Sequence, residues 1–262
     1  SYIRQGAELL AAAQVEEPQK EARLLLAHAM GATPGNLIGF SEQSISDPLN
    51  YFDLVKKRVA HVPYSRIVGK REFWSLDFQL TVDTFDPRPD SEVMVYSALH
   101  GIDDKSAELR IADFGTGTGC LLLALLSELQ NSTGVGIDLN PATATAAAAN
   151  AAKLGLRTRA AFIAGDWGAS LSGKFNLIVA NPPYISTLDI QELAPGVRLY
   201  DPILALDGGA DGLDAYRALA PDLVRLLVPG GLAIIEVGII QAASVIEILR
   251  AVDLTVTSID RD

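Results

Sequence analysis

The sequence predicts an α/β protein: a mostly parallel sheet covered by helices, preceded by a small all-helical region. Three observations carry this. From Arg110 onward, short apolar runs alternate with segments of helical periodicity, as in a parallel sheet with helices on both faces. Residues 1–62 show helical periodicity only. Between the two lies a segment in which Phe73, Leu76, Phe78, Leu80 and Val82 include a period-2 apolar run, which suggests a short β-hairpin. The expected organisation is a helical domain over 1–62, a hairpin linker over 63–85 and an α/β domain over 86–262.

The elements follow in order. Ala7, Leu9, Leu10 and Ala13 begin one amphipathic helix. Glu21 to Met30 forms another, with Leu24, Leu25, Ala27 and His28 at helical spacing, and Gly31 stops it. Thr33-Pro34 is an N-cap followed by proline, opening a short helix to Phe40. Ser46-Asp47-Pro48 opens a fourth, with Leu49, Phe52, Val55 and Val59 inward. Phe85-Asp86-Pro87-Arg88-Pro89-Asp90-Ser91-Glu92 is a proline-stiffened entry to a helix ending near His100. Strands are expected at 109–113, 134–138, 160–164, 175–180, 232–237 and 254–259. Helices are expected at 119–130, 141–154, 212–228 and 239–251, the second rich in alanine, a strong helix former.

Composition narrows the function. The chain has 262 residues, a net charge of −11, one cysteine (Cys120) and three histidines, His28, His61 and His100, far apart in sequence. No internal disulfide can form, and a His/Cys metal cluster is not expected. There is no apolar run long enough for a membrane span and no signal-peptide core near the N-terminus, so a cytoplasmic protein is expected. The acidic balance argues against direct nucleic-acid binding. One local exception gathers Lys56, Lys57, Arg58, Arg66, Lys70 and Arg71, read either as a solvated face or as a docking patch for a partner near RNA.

Four strand ends carry the chemistry. After the apolar run 175–180 comes Asn181-Pro182-Pro183-Tyr184. Neither proline has an N–H, so this turn presents mainly acceptors, the Asn181 side-chain oxygen and the Pro182 carbonyl, beside the Tyr184 ring. Such a turn can grip a planar group bearing NH2. The first strand runs into Gly115-Thr116-Gly117-Thr118-Gly119, where glycine allows tight turning and close approach of a ligand to the main chain. The G-x-G-x-G spacing differs from the dinucleotide G-x-G-x-x-G and weakens the case for a pyrophosphate cradle. Asp138 ends the second strand and can take both ribose hydroxyls, or else cap the helix at Pro141. Asp166-Trp167 follows the third strand and can bond an adenine amino group and cover the ring. The series fits a nucleoside without pyrophosphate, such as S-adenosyl-L-methionine.

With those residues in view, the chain resembles the class I (Rossmann-like) S-adenosylmethionine-dependent methyltransferases, and in particular the HemK/PrmC protein-glutamine N5-methyltransferases, which modify peptide chain release factors. The resemblance runs over nearly the whole chain. It rests on Arg66–Gly69, Arg71-Glu72-Phe73-Trp74, Pro87–Glu92, Asp113–Gly119, Asp166-Trp167, Asn181–Tyr184, Asp201-Pro202 and Leu206–Leu213. It implies that Gly115, Thr116, Gly117, Thr118 and Gly119 line the methionine part of the cofactor, that Asp138 holds the ribose and that Asp166 and Trp167 frame the adenine. Asn181, Pro182, Pro183 and Tyr184 would bind the glutamine of the Gly-Gly-Gln loop of a class-1 release factor, with Asn181, Pro182 and Tyr184 serving catalysis. Phe85 would pack near the reacting methyl, and the product would be S-adenosyl-L-homocysteine. The helical domain would bind the release factor, and a monomer is expected. Two departures stand out. Gly196 replaces the Glu of a Pro-Glu-Val turn, and the chain ends at Asp262 before the seventh, antiparallel strand of the class I fold.

Three rival readings come from other classes. An N6-adenine or N2-guanine nucleic-acid methyltransferase would use the same acceptor turn on an exocyclic amine, but would also have to extract the base and grip the backbone. A binding scaffold without activity would have no use for the intact Asn181–Tyr184 turn. Cys120, at a helix N-terminus, could act as a nucleophile, although its apolar neighbours Leu121 to Leu123 favour a buried structural thiol.

Overall fold

The computed structural model describes residues 1–32, 35 and 48–261, and the chain divides into two units. The smaller consists of Ser1–Gly69 with Ala194–Tyr200; the larger contains Lys70–Leu193 and the chain from Asp201 on.

In the smaller unit, α1 (Tyr2–Ala12), α2 (Pro18–Ala29), α3 (Pro48–Val59) and α4 (Tyr64–Val68) enclose a core built on Leu10, Leu25, Tyr51 and Val55. Pro18 and Pro48 open their helices, where a missing N–H removes no intrahelical bond. On α3, Tyr51, Leu54 and Val55 are buried and the expected Phe52 and Val59 pack against the same core, while the expected Leu49 is 77% exposed. The reason is steric: Tyr51 lies against Gly6, where an added Cβ would come within 1.9 Å of the Tyr51 hydroxyl oxygen, so the ring fills the space glycine leaves. The expected helix from Thr33 to Phe40, and the cap residues Ser46 and Asp47, lie outside the described residues. Around Gly196 the chain makes one short helix, α8 (Pro195–Arg198), and the Tyr200 hydroxyl donates to the Ala60 carbonyl at 2.9 Å. A Cβ at Gly196 would stand 3.3 Å from the His61 carbonyl oxygen, a tight fit that accounts for glycine there.

The larger unit starts with a hairpin of β1 (Lys70–Phe73) and β2 (Leu76–Gln79), antiparallel, with Phe73 opposite Leu76. Phe73 and Phe78 are buried in the main core, while Val82, beyond the strand, is 86% exposed. Trp74 and Ser75 both have positive φ, as a two-residue hairpin turn demands. The Trp74 backbone N–H donates to Glu92 Oε1 at 2.7 Å and its indole N–H to Glu128 Oε1 at 2.8 Å, which pins the turn. The basic cluster is largely neutralised within each unit. Lys56 pairs with Asp53 at 2.9 Å, Arg58 with Glu21 at 3.0 Å, Lys70 with Asp77 at 2.9 Å and Arg71 with Asp86 at 3.8 Å.

Helix α5 (Glu92–His100) leads to a five-stranded parallel sheet of β3 (Arg110–Phe114), β4 (Thr133–Asp138), β5 (Ala160–Ala164), β6 (Phe175–Ala180) and β7 (Leu227–Ile235), in the order β5-β4-β3-β6-β7. Helices α6 (Cys120–Glu128), α7 (Pro141–Lys153), α9 (Asp214–Leu226) and α10 (Ala242–Arg250) connect and follow the strands. The sixth strand expected at 254–259 does not form. Alternating apolar residues make a strand only when a neighbour offers a hydrogen-bonding edge, and among the described residues this segment pairs with none. Strand β7 begins at Leu227 rather than 232, because a bulge between Phe175 and Leu177 accommodates Pro229-Gly230-Gly231 within one ladder.

Strand order reverses at β3, so the carboxyl ends of β3 and β6 form the switch point where ligands bind in such sheets. The register aligns the ends. Phe114 lies beside Ile137 and Ala180, Asp138 beside Ala164, and Ala180 beside Ile235. Gly115, Asp138, Ala164, Asn181 and Glu236 therefore stand in one row at the end of the sheet.

Candidate active site

The glycine loop follows β3 with Gly115, Gly117 and Gly119 at φ of 69°, 56° and 82°, a left-handed backbone that favours glycine. A Cβ on Gly115 would lie 3.6 Å from Trp167 Cζ3 and 3.9 Å from the Asn181 carbonyl oxygen. Three of the expected site segments therefore converge on one glycine. The threonines of the loop turn inward. Thr116 and Thr118 are buried, and the Thr116 hydroxyl donates to Asp113 Oδ2 at 2.6 Å. What the loop offers a ligand is main chain rather than these side chains.

Asp113 entered the sequence reading only as the first residue of the glycine-loop motif, with no role of its own, and its carboxylate stands against that loop. Its Oδ1 is buried with no partner within hydrogen-bonding distance among the described residues. Burial pushes its carboxyl up to about 7; the Thr116 hydroxyl and the Leu122 amide pull it down and the Asp138 charge adds to the rise. At Asp138, Oδ2 accepts from Gly117 N at 3.0 Å and Oδ1 from Asn140 N at 3.0 Å. Its carboxyl is raised by burial against the pull of those two amides. The helix-cap alternative for Asp138 is taken by Asn140, whose Oδ1 accepts from Ala142 N at 2.9 Å. Each Asp138 oxygen retains a lone pair for a hydroxyl.

The Asp166-Trp167 turn is held from α9. Asp222 Oδ2 accepts from Gly168 N at 2.9 Å, and Arg225 donates to the Gly168 carbonyl at 2.7 Å. Asp166 is exposed, and its carboxylate makes no side-chain bond among the described residues. Trp167 sits at φ 42°, strain that the Gly168 clamp sustains. Phe85 lies in a loop tied at both ends. Asp83 is bonded by Asn140 Nδ2 at 3.3 Å and by the Thr143 hydroxyl at 2.9 Å, while the Asp86 amide donates to Asp201 Oδ1 at 3.4 Å. Arg88 bridges the same region, donating to Asp201 Oδ2 at 2.5 Å with its guanidinium 4.8 Å from the Phe85 ring centre.

The Asn181–Tyr184 turn is the most constrained part. Asn181 Nδ2 donates to Ser91 Oγ at 3.0 Å and to Glu236 Oε2 at 2.7 Å. Tyr184 donates through its hydroxyl to Glu236 Oε1 at 3.3 Å, and its carbonyl accepts from Gln241 Nε2 at 2.9 Å. The Pro182 carbonyl accepts no bond among the described residues. Glu236 and Ser91 were not singled out from sequence. Glu236 follows an apolar strand just as Asp138 does, and that shared position was the available signal. The Cys120 thiol is pushed up to about 12 chiefly by burial, with Thr118 opposing and the Asp113 charge adding, and is a poor nucleophile.

These groups suit a nucleoside with a short charged tail. The glycine loop is bare main chain facing an indole, an unpartnered carboxylate oxygen stands behind it, and a second carboxylate with spare lone pairs ends β4. Among the described residues no group of three or more His, Cys, Asp or Glu could hold a metal, and no helix is long and apolar enough to cross a membrane.

Comparison with known proteins agrees with this geometry. Residues 1–69 match the PrmC N-terminal domain family and residues 97–194 the methyltransferase small domain family. A release factor glutamine methyltransferase of Rhodospirillum rubrum is 43% identical over 99% of this chain and 80% of its own length. One from Bradyrhizobium diazoefficiens is 44% identical over 94% of this chain and 84% of its own. Among solved structures, the catalytic domain of human Mettl16, crystallised with an RNA hairpin, superposes with a TM-score of 0.55 at 16% identity, over 76% of this chain and 72% of that one. A methyltransferase from Pyrococcus furiosus gives 0.52 at 15% identity, over 70% and 81%. Those two likenesses establish the fold.

Proposed function

The chain belongs to the release factor glutamine methyltransferase family, and from that premise we propose that Asn181, Pro182, Pro183 and Tyr184 hold the glutamine side chain of the Gly-Gly-Gln loop of a class-1 release factor. The enzyme transfers a methyl group from S-adenosyl-L-methionine to the glutamine amide nitrogen, N5, in support of translation termination. S-adenosyl-L-methionine supplies, when bound, a methyl made electrophilic by its sulfonium sulfur and leaves as S-adenosyl-L-homocysteine.

The protein's task is orientation. An amide nitrogen is a weak nucleophile because its lone pair is delocalised into the carbonyl. Asn181 Oδ1 and the Pro182 carbonyl accept the two N–H bonds and aim the nitrogen. The Tyr184 ring lies against the amide plane, and Phe85 closes an apolar wall. Fixing two reactants in this way lowers a barrier by up to roughly 7–11 kcal/mol. The main chain of Gly115, Thr116, Gly117, Thr118 and Gly119 carries the methionine part, Asp138 the ribose, and Asp166 and Trp167 the adenine. The alkylated nitrogen is acidic enough to release its proton to water. Residues 1–62 recognise the body of the release factor, with 63–85 as linker and 86–262 as the catalytic domain. The enzyme acts as a monomer in the cytoplasm, without contacting nucleic acid directly.

The observation that carries this reading is the convergence of the glycine loop, Trp167 and the Asn181 carbonyl on Gly115, which joins a nucleoside site to an acceptor turn. The test is transfer of labelled methyl to a purified class-1 release factor and to its Gly-Gly-Ala variant. Label in the first alone is expected; label in both would move the target elsewhere on the factor.

A further inference from the structure

We infer that Glu236 is a positioning residue: with Ser91 it fixes which way the Asn181 side-chain amide faces, so that Oδ1 and not Nδ2 is left for the substrate. The inference rests on the proposal that Asn181 accepts an N–H of the glutamine.

A primary amide can be turned end for end at little steric cost, because its oxygen and nitrogen are nearly the same size. For this reaction the two orientations are opposites. With Oδ1 toward the substrate, Asn181 accepts an N–H and aims the nitrogen; with Nδ2 there, it would meet the substrate amide donor to donor. The donor count around Asn181 decides between them. The Ser91 hydroxyl donates to Glu236 Oε2 at 2.5 Å, so its proton is used and its lone pair faces Asn181. Because those two oxygens stand only 2.5 Å apart, Asn181 Nδ2 shares one hydrogen between Ser91 Oγ at 3.0 Å and Glu236 Oε2 at 2.7 Å. The three side chains close a triangle that only the nitrogen end of the amide can enter. Turning the amide over would set Oδ1 against a carboxylate oxygen with no proton between them, which is repulsive.

The triangle is braced on every side. Ser91 is buried ahead of α5. Glu236 N donates to the Ala180 carbonyl at 3.0 Å, and the Tyr216 hydroxyl donates to the Glu236 carbonyl at 3.1 Å. Glu236 Oε1 also accepts from the Tyr184 hydroxyl at 3.3 Å, so one carboxylate orients the acceptor and steadies the ring beside it.

The test is a mutant cycle on Glu236→Leu, Glu236→Gln, Ser91→Ala and Asn181→Ala, reading kcat for methylation of a class-1 release factor and the Kd of S-adenosyl-L-methionine by calorimetry. Loss of a charged acceptor predicts that Glu236→Leu lowers kcat about 10- to 100-fold, with the cofactor Kd near that of the wild type. Glu236→Gln keeps an oxygen able to accept both bonds and should recover most of the loss; no recovery would overturn the orientation argument. In the Asn181→Ala background Glu236→Leu should cost almost nothing more, because there is no amide left to orient. A full additional loss, or a Glu236→Leu enzyme with wild-type kcat, would overturn the inference. Should Glu236→Leu fail to fold, Ser91→Ala takes its place in the cycle, with a smaller loss that also vanishes beside Asn181→Ala. If the wild-type enzyme labels no release factor, the proposed function fails, and the inference is judged on NMR alone. The Asn181 side-chain amide signals, identified by their loss in Asn181→Ala, should exchange with solvent more slowly in the wild type than in the Glu236 or Ser91 variant. Equal exchange would refute it.

Discussion

Replacing Asp113 by asparagine should flatten part of the protein's pH dependence of stability. In the fold, burial raises the Asp113 carboxyl from an ordinary 3.8 to about 7. An acid whose pKa is raised on folding stays protonated in the native state while the unfolded chain has already lost its proton. Stability is therefore greatest at low pH and falls as pH climbs towards the folded value. The loss is about 1.4 kcal/mol per pH unit well below the folded value and half that at pH 7, or roughly 1.6 kcal/mol between pH 5.5 and 7. Asparagine does not titrate, so the difference in stability between wild type and Asp113→Asn should shift by that amount across this window. The variant's absolute stability matters less, since its Nδ2 would lie where Oδ1 has no partner and add a pH-independent cost. Urea unfolding followed by tryptophan fluorescence is the assay. The two tryptophans, Trp74 and Trp167, both lie in the larger unit, so the signal reports on the unit that holds Asp113. Asp138, raised in the same direction, and Asp104, Asp207 and Asp211, lowered by their hydrogen bonds, are present in both proteins and largely cancel. Parallel profiles for the two proteins would refute the reasoning.

Three more outcomes are expected. Asn181→Ala should remove most turnover, by at least about 100-fold, since it deletes the acceptor proposed for the reacting nitrogen, while cofactor affinity measured by calorimetry changes only a few fold. Asn150→Leu should destabilise the larger unit by about 3 kcal/mol in the same urea assay, because the buried Asn150 amide bonds Gln79 N at 2.8 Å, the Gln79 carbonyl at 3.2 Å and the Thr118 carbonyl at 3.0 Å. Gly136→Ala should weaken cofactor binding about tenfold or more: the new Cβ would lie 2.5 Å from Thr116 Oγ1 and 2.6 Å from the Phe162 ring, forcing the glycine loop to shift.

Much of this was legible in the chain. The five strands of the sheet sit on the apolar runs that predict them, and Gly115, Trp167 and Asn181 meet at one point. Periodicity failed where a partner decides the outcome. Residues 254–259 alternate like a strand but have no ladder partner among the described residues, and of the stripe expected on α3 only Leu49 stays out of the core, which takes Tyr51 against Gly6 as well. Glu236 went unnoticed, and Ser91 and Asp113 were read only as parts of longer motifs, for a different reason. A carboxylate that supports another side chain has no motif of its own, and its partners, 55 residues apart for Glu236 and Asn181, become neighbours only in the folded sheet. The resemblance-bearing stretches find their physical sense in one another: Trp74 with Glu92, Arg88 with Asp201, and Ser91 with Asn181.

The clamp on Gly168 divides the labour of the site. Asp222 and Arg225 on one helix secure the turn proposed for adenine, while Ser91 and Glu236, on other elements, secure the turn proposed for glutamine, and among the described residues no hydrogen bond links the two pairs of supports. On the proposed roles, cofactor retention and methyl-acceptor geometry have separate scaffolds. Selection, or an engineer, can loosen the grip on the spent cofactor to hasten product release without disturbing the aim of the nucleophile, and can reshape the acceptor end for another amide without rebuilding the nucleoside site.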